Sequence, residues 1–295
     1  MKRKLFIAAA LILAANTAQA QFDFKKALGS LSEKAGDAAK VLTGRSEEQE
    51  QKLGAQWAAT LLGAAPLVSD KGLQTYVNEL GLWIALHSER STLPWKFGVI
   101  DSPNINAFAT PGGYVLVTRG LLLQLRDEAE LAGVLAHEIA HVVKKHHLNA
   151  ILKAQGAILK AQGAILKAQG ASLGAELLGK YADSKLGAGE VTDKVVGGLK
   201  EISLRGLDKG DEYQADRMAL VLAARAGYDP FGLPRVLQKL ETLNAKDSSL
   251  ALLFETHPTP TARLDALEQS AGEKLDGYAQ QPVFAERFAA SVQLH

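Results

Sequence analysis

The stretch GVLAHEIAHVVKKHH, Gly133 to His147, carries four of the chain's seven histidines inside an otherwise apolar run. Ahead of it, Asp127 and Glu130 supply an N-cap and an acidic third position; Leu131, Val134, Leu135, Ile139, Val142 and Val143 follow at helical intervals. The spacing predicts a buried helix. On that helix His137 and His141 are four residues apart and share a face, which lets two imidazoles reach one metal ion. Two histidines at this spacing can also be plain helix-surface residues. Glu138 stands beside the first of them, within reach of a water on such an ion.

Zinc chemistry would divide the labour among these three side chains. Two neutral histidines leave positions open, the metal lowers the pKa of a bound water, and Glu138 takes the proton as that water attacks a carbonyl. A third protein ligand is needed. His146 and His147 fall five and six residues after His141, beyond what one helix can aim at one ion, and the Gly-turn that sets a third histidine in metzincins is missing. Both are expected behind the ligands or facing solvent. The better candidate is Glu212, in DEYQADRMAL. It shares a helix face with Asp216, so Glu212 can bind the metal while Asp216 accepts an N–H from a ligand histidine. A solvated acidic helix face would have the same rhythm.

Around this centre the chain reads as mainly α-helical with a small β-sheet. A capping box at Ser46 opens a helix toward Leu62, another covers Lys71 to His87, and further helices are expected over Asp211–Ala226, from Leu233 to Leu243, and into Glu268. Trp95 to Asp101 and Tyr114 to Thr118 read as strands, with a turn-like Pro103–Gly113 between them. Within that connection NAFATPGG, from Asn106, can run along a sheet edge. The tail after Gly272 has only weak pattern, and no structure is assigned to it.

Lys2, Arg3 and Lys4, the apolar run Leu5–Ala15 and the small residues of Ala18-Gln19-Ala20 form a cleavable export signal over residues 1–20. The run is too short to span a bilayer, and no later stretch reaches the ~20 apolar residues a membrane helix requires. A soluble mature chain is expected in the periplasm. Zero cysteines exclude disulfides, a thiol nucleophile, thiolate metal ligands and a lipid-modified N-terminal cysteine. A net charge of +1 offers no basis for nucleic-acid binding.

The remaining residues read as a helical segment over 21–66, a main domain over 67–270 and a tail over 271–295. In the first, a helical stripe from Phe24 to Leu42 can dock on a core or lie on a membrane surface. The main domain is interrupted at 150–175 by AILKAQG, repeated in tandem from Ala150, Ala157 and Ala164, with a decayed fourth copy. A seven-residue period preserves a helix face, whereas each glycine costs about 1 kcal/mol there. The insertion is read as a length-tolerant repeat expansion, with a membrane- or partner-binding arm as the other reading.

Three motifs in order, VLVTRGLLLQLRDEAELAGVLAHEIAHVVKKHH, DEYQADRMALVLAARAGYDP and THPTPTAR, resemble metallopeptidase family forty-eight, a group of gluzincins, over Leu67 to Leu267. The resemblance implies a zincin core with one Zn²⁺ per chain held by His137, His141 and Glu212, Glu138 as general base, and Asp216 behind the ligands. It gives His257 the place of the family's His-Pro signature, where it could stabilise an oxyanion or occupy the open metal position. Arg263 closes that signature, in a structural pair or at the substrate. Asn106, Ala107, Phe108 and Ala109 resemble the edge strand along which substrate backbone lies, a mode that binds extended chains with loose sequence preference.

The chain departs from its family in lacking the membrane helices of the prenyl-processing members, and fewer than 30 residues follow Leu267 where others carry a long helical-repeat domain. Its expected function is therefore zinc-dependent endopeptidase action on unfolded or misfolded envelope proteins. A peripheral-membrane or outer-membrane assembly partner stays open. The alternative is a zinc-containing, chaperone-like binding module with a latent peptidase site.

Overall fold

Asp127 opens the central helix of the molecule by accepting the Glu130 amide at 2.8 Å on its side chain. A computed structural model of the chain describes residues 46–153, 206–244 and 247–293. The expected leader, the stripe from Phe24 to Leu42 and the repeats beyond residue 153 lie outside them. The described residues belong to one packed unit, Ser46–Lys153 with Lys194–His295.

In chain order the helices are α1 (Glu47–Ala64) and α2 (Lys71–Leu86), then after the strands α3 (Arg119–Leu122), α4 (Glu128–Val143), α5 (Lys209–Arg225), α6 (Gly232–Thr242), α7 (Ala251–Thr256), α8 (Pro260–Ala271) and α9 (Ala285–Ser291). The strands are β1 (Lys96–Ile100), β2 (Ala107–Thr110) and β3 (Tyr114–Thr118). The fold is thus mostly helical with one small sheet. Ser46 caps α1 as its capping-box reading requires, accepting the Gln49 amide at 3.2 Å.

The sheet has the order β1-β3-β2, with β1 parallel and β2 antiparallel to β3. Two devices close the outer side of β1: Leu67 bridges Ile100, and the Gln74 and Asn78 side chains hydrogen-bond its backbone. β2 lies on the opposite side, at the site. The Thr118 amide donates to the Asn106 carbonyl and the Asn106 amide to the Thr118 hydroxyl, so by antiparallel alternation the main-chain groups of Ala107 and Ala109 face away from β3.

Every residue of α4 from Glu128 to Val142 is buried. α5 packs along one side of it, α2 and the sheet along others, and α6 crosses it through Leu233, Val236, Leu237 and Leu240. That crossing depends on two glycines: a Cβ on Gly133 would stand 2.5 Å from the Leu233 nitrogen, and one on Gly232 would stand 2.0 Å from the Ala129 carbonyl oxygen. The two backbones approach too closely for any side chain.

The stretch expected along a sheet edge is β2 itself, paired from Ala107 to Thr110 with β3 inside the turn-like Pro103–Gly113 connection. The structure departs from the sequence reading after Gly272. The tail is packed: α9 buries Phe288, and Arg287 donates to Glu128, a buried carboxylate that also accepts from Tyr76 and Tyr228. Val283 and Val292 pack on the core at its two ends, and the Ala129 amide donates to the Val283 carbonyl, so this seven-residue helix is held by tertiary partners with too little repeating pattern to be read beforehand.

Candidate active site

α4 and α5 each bring side chains to a common point. His137 and His141 project from α4 with their Nε2 atoms 3.0 Å apart, and Glu212, from the first turn of α5, places Oε2 3.7 Å from the first and Oε1 3.7 Å from the second. From the α7–α8 junction His257 extends Nε2 to 3.8 Å from Glu212. Donor atoms of His137, Glu212 and His257 all lie within 4.8 Å of one another. Two overlapping sets of three donors therefore surround the same point, sharing His137 and Glu212.

Behind this point the rings are held by their other nitrogens. Asp216, one turn along α5 from Glu212, stands 2.9 Å from Nδ1 of His137, and Arg263 grips that carboxylate through Nε and Nη2 at 2.9 and 2.5 Å. His146 places its Nδ1 3.1 Å from Nδ1 of His141. His147 instead packs edge-on against Trp57.

Burial governs the electrostatics. It lowers the pKa of His137, helped by Arg263, and lowers that of His141 well below the usual imidazole range, helped by the neighbouring histidines. Burial pushes Glu138 up to about 8 and Glu212 well above the carboxylate range. Asp216 goes the other way: burial opposes its charge, but Arg263 and His137 hold it well below the usual range. Charging Glu212 is thus costly unless a cation stands beside it.

The donor set suits a divalent metal on the chain's own hydrogen bonds. The acceptor-only carboxylate of Asp216 fixes the proton of His137 on Nδ1, which leaves a lone pair on Nε2. That lone pair faces the Nε2 of His141 at 3.0 Å. Glu212 Oε2 is buried and has no hydrogen-bond partner among the described residues. Imidazole nitrogens and a carboxyl oxygen converging on one point are what a metal of borderline softness takes as ligands.

A cleft opens in front of these groups. Glu138, His141, Glu212 and His257 line it together with Ala107, Phe108 and Ala109 of β2. Asn106 is buried at the head of that strand and faces a neighbouring hollow with His137 and Arg263. All the side chains singled out in the sequence are therefore gathered in one region. His147, expected behind the ligands or facing solvent, lines the cleft as well, together with Trp57 of α1 and Leu207, which nothing in the sequence had set apart. Trp57 comes from more than 70 residues before Glu138, with no local pattern connecting them.

A buried helix presenting His-Glu-x-x-His, a glutamate from a second helix and a small flanking sheet define a zincin-like metallopeptidase fold. Residues 71–271 match the model of Peptidase family M48, and the chain belongs to that family. It is 31% identical over 216 residues to the beta-barrel assembly-enhancing protease of Escherichia coli (strain K12), a match that covers 73% of this chain and 42% of that protein. Its identity to the protein of the same name in Yersinia pestis is 32%, over 77% of this chain and 45% of the relative. The mitochondrial metalloendopeptidase OMA1 of Arabidopsis thaliana is 30% identical, over 63% of this chain and 33% of the relative. The chain thus spans under half the length of the curated relatives it matches first. Its family is metal-dependent and acts on polypeptides, and among the described residues no helix is long and apolar enough to cross a membrane.

Proposed function

We propose that the chain is a zinc-dependent endopeptidase, with its metallopeptidase domain over residues 67–270, that hydrolyses unfolded or misfolded proteins of the cell envelope. The observation that carries this reading is the convergence of His137, His141 and Glu212 on one point, with Glu138 in the same cleft beside the β2 backbone. His137, His141 and Glu212 would hold the metal. When bound, zinc supplies Lewis acidity to a water and to a substrate carbonyl. The Ala107 carbonyl and the outward main-chain groups of Ala109 would pair with an extended substrate backbone and lay its carbonyl across the cleft. Glu138, buried in the wall of the same cleft, is placed to accept the attacking water's proton and return it to the leaving amine. Asp216 and Arg263 keep the His137 ring in place.

Export to the periplasm is proposed from the residue 1–20 leader, and the name of the Escherichia coli relative suggests β-barrel proteins during assembly as a substrate class or partner. His257 favours a second reading. With Nε2 3.8 Å from Glu212 it can serve as a further ligand and hold the peptidase latent, leaving a chain-binding cleft. One comparison separates the two: the full chain, Glu138→Gln and His257→Ala, each assayed for zinc content and for cleavage of an unfolded protein. Cleavage by the wild type and none by a zinc-loaded Glu138→Gln supports the peptidase. Cleavage by His257→Ala alone supports latency, and no cleavage by any zinc-loaded form overturns both.

A further inference from the structure

α4 does not run straight on into the helical residues 146–153. In an unbroken helix His141 and His146 would sit about 140° apart around the axis, with no means of contact. Lys145 lies between them with φ +58°, a left-handed conformation rare for a residue with a Cβ. The turn is anchored on both sides: Arg90 donates to the Val142 carbonyl at 3.0 Å, and the Lys145 ammonium reaches Glu50 at 3.2 Å. Its effect is to swing His146, buried to 3% exposure, back against the rear of the His141 ring.

The protons along this contact can be assigned. Nε2 of His146 faces Oε1 of Gln214 at 2.9 Å and an Asp211 carboxylate oxygen at 3.8 Å, both acceptors, so Nε2 carries the proton. Nδ1 of His146 is then a lone pair. It accepts from Nδ1–H of His141, and the Nε2 lone pair of His141 is left facing Glu212 and His137.

We infer that His146 is a positioning residue for the metal site: it fixes the tautomer and ring plane of His141, and Gln214 of α5 holds His146 in the one tautomer able to do so. The pair is the counterpart, on the second histidine, of what Asp216 does for His137. The inference rests on the preceding reading of His141 as a ligand.

The test is zinc affinity of the full chain, measured in competition with a chelator, alongside the stability of the metal-free protein. Outer partners of ligand histidines are worth roughly ten- to a hundredfold in metal affinity, and His146→Leu is expected to lose that much. His146→Asn, whose amide oxygen stands close to the position of Nδ1, should recover most of it. Gln214→Glu, a stronger acceptor for the His146 N–H, should bind zinc at least as tightly as the wild type. Should His146→Leu fail to fold, Gln214→Leu on the surface of α5 tests the same relay and should lower zinc affinity without lowering metal-free stability. Wild-type affinity in His146→Leu, or equal losses in the Leu and Asn variants, would overturn the inference while leaving the ligand reading intact. A wild-type chain that binds no zinc would overturn that reading and this inference with it.

Discussion

Asp216 and Arg263 face each other in a two-point ion pair, Nε to one carboxylate oxygen and Nη2 to the other, both side chains buried and the same carboxylate holding His137. Because the pair is buried, its two halves are not independent. Removing the carboxylate alone leaves a guanidinium without a partner in a place water does not reach, a loss of about 3–5 kcal/mol. Asp216→Ala should therefore unfold at markedly lower urea, and Asp216→Leu combined with Arg263→Met should regain much of that stability. The double variant should still bind zinc more weakly than wild type, because His137 has lost its anchor. Equal stability of the single and double variants would show that the pair does not act as a unit.

The α4–α6 crossing gives a prediction of opposite signs at different glycines. Gly133→Ala and Gly232→Ala force the two backbones apart, and each should destabilise by about 1–3 kcal/mol. Gly63, exposed near the end of α1, has nothing within 4 Å of an added Cβ. There, Gly63→Ala should be neutral or stabilise by roughly 0.5–1 kcal/mol. Thermal melts of the three variants compare them directly.

Glu50 ties α1 to the turn after the site helix, accepting from Arg90 at 2.6 Å and from Lys145 at 3.2 Å. Burial raises its pKa, but the two cations outweigh burial and the net shift is downward from 4.5. A carboxylate depressed in the folded state contributes stability that is present above its unfolded pKa and is lost as pH falls through the folded value. Wild type should exceed Glu50→Gln in stability at neutral pH, and the gap should narrow below about pH 4.5. A gap that is constant from pH 7 to pH 3 would remove the charge from the explanation.

Metal removal should lower the melting temperature in a concentration-dependent way. A metal that binds only the folded chain adds about 2.7 kcal/mol at a hundred times its Kd. Melts with excess chelator and with graded zinc should therefore form a rising series in the wild type, and a much flatter one in His137→Ala.

The helices carrying the site were legible because their signals are local. Asp127, Glu130 and the apolar interval of α4 lie within one stretch, and Glu212 and Asp216 sit four apart on α5. Tyr114 to Thr118 likewise reads as a strand on its own residues. β2 was less legible: four residues inside a turn-rich connection become a strand only because β3 pairs with them. His146 was expected behind the ligands or facing solvent, but its contact with His141 in particular was hidden for a related reason. It needs a left-handed Lys145, which no helical spacing signals, and Gln214, which lies 68 residues further along the chain. α9 and Trp57 owe their places to partners distant in sequence, Glu128 for the one and the cleft wall for the other.

Complete burial of α4 from Glu128 to Val142 has a consequence for motion as well as packing. A helix packed against α2, α5, α6 and the sheet, with both ends tied down, has no partial opening that frees it while its neighbours stay in place. Its amide protons should exchange with solvent only when the whole unit unfolds, on the slowest timescale the molecule has. The segment that carries His137, Glu138 and His141 is then the last to loosen, and a chain entering the cleft must be accommodated by its walls.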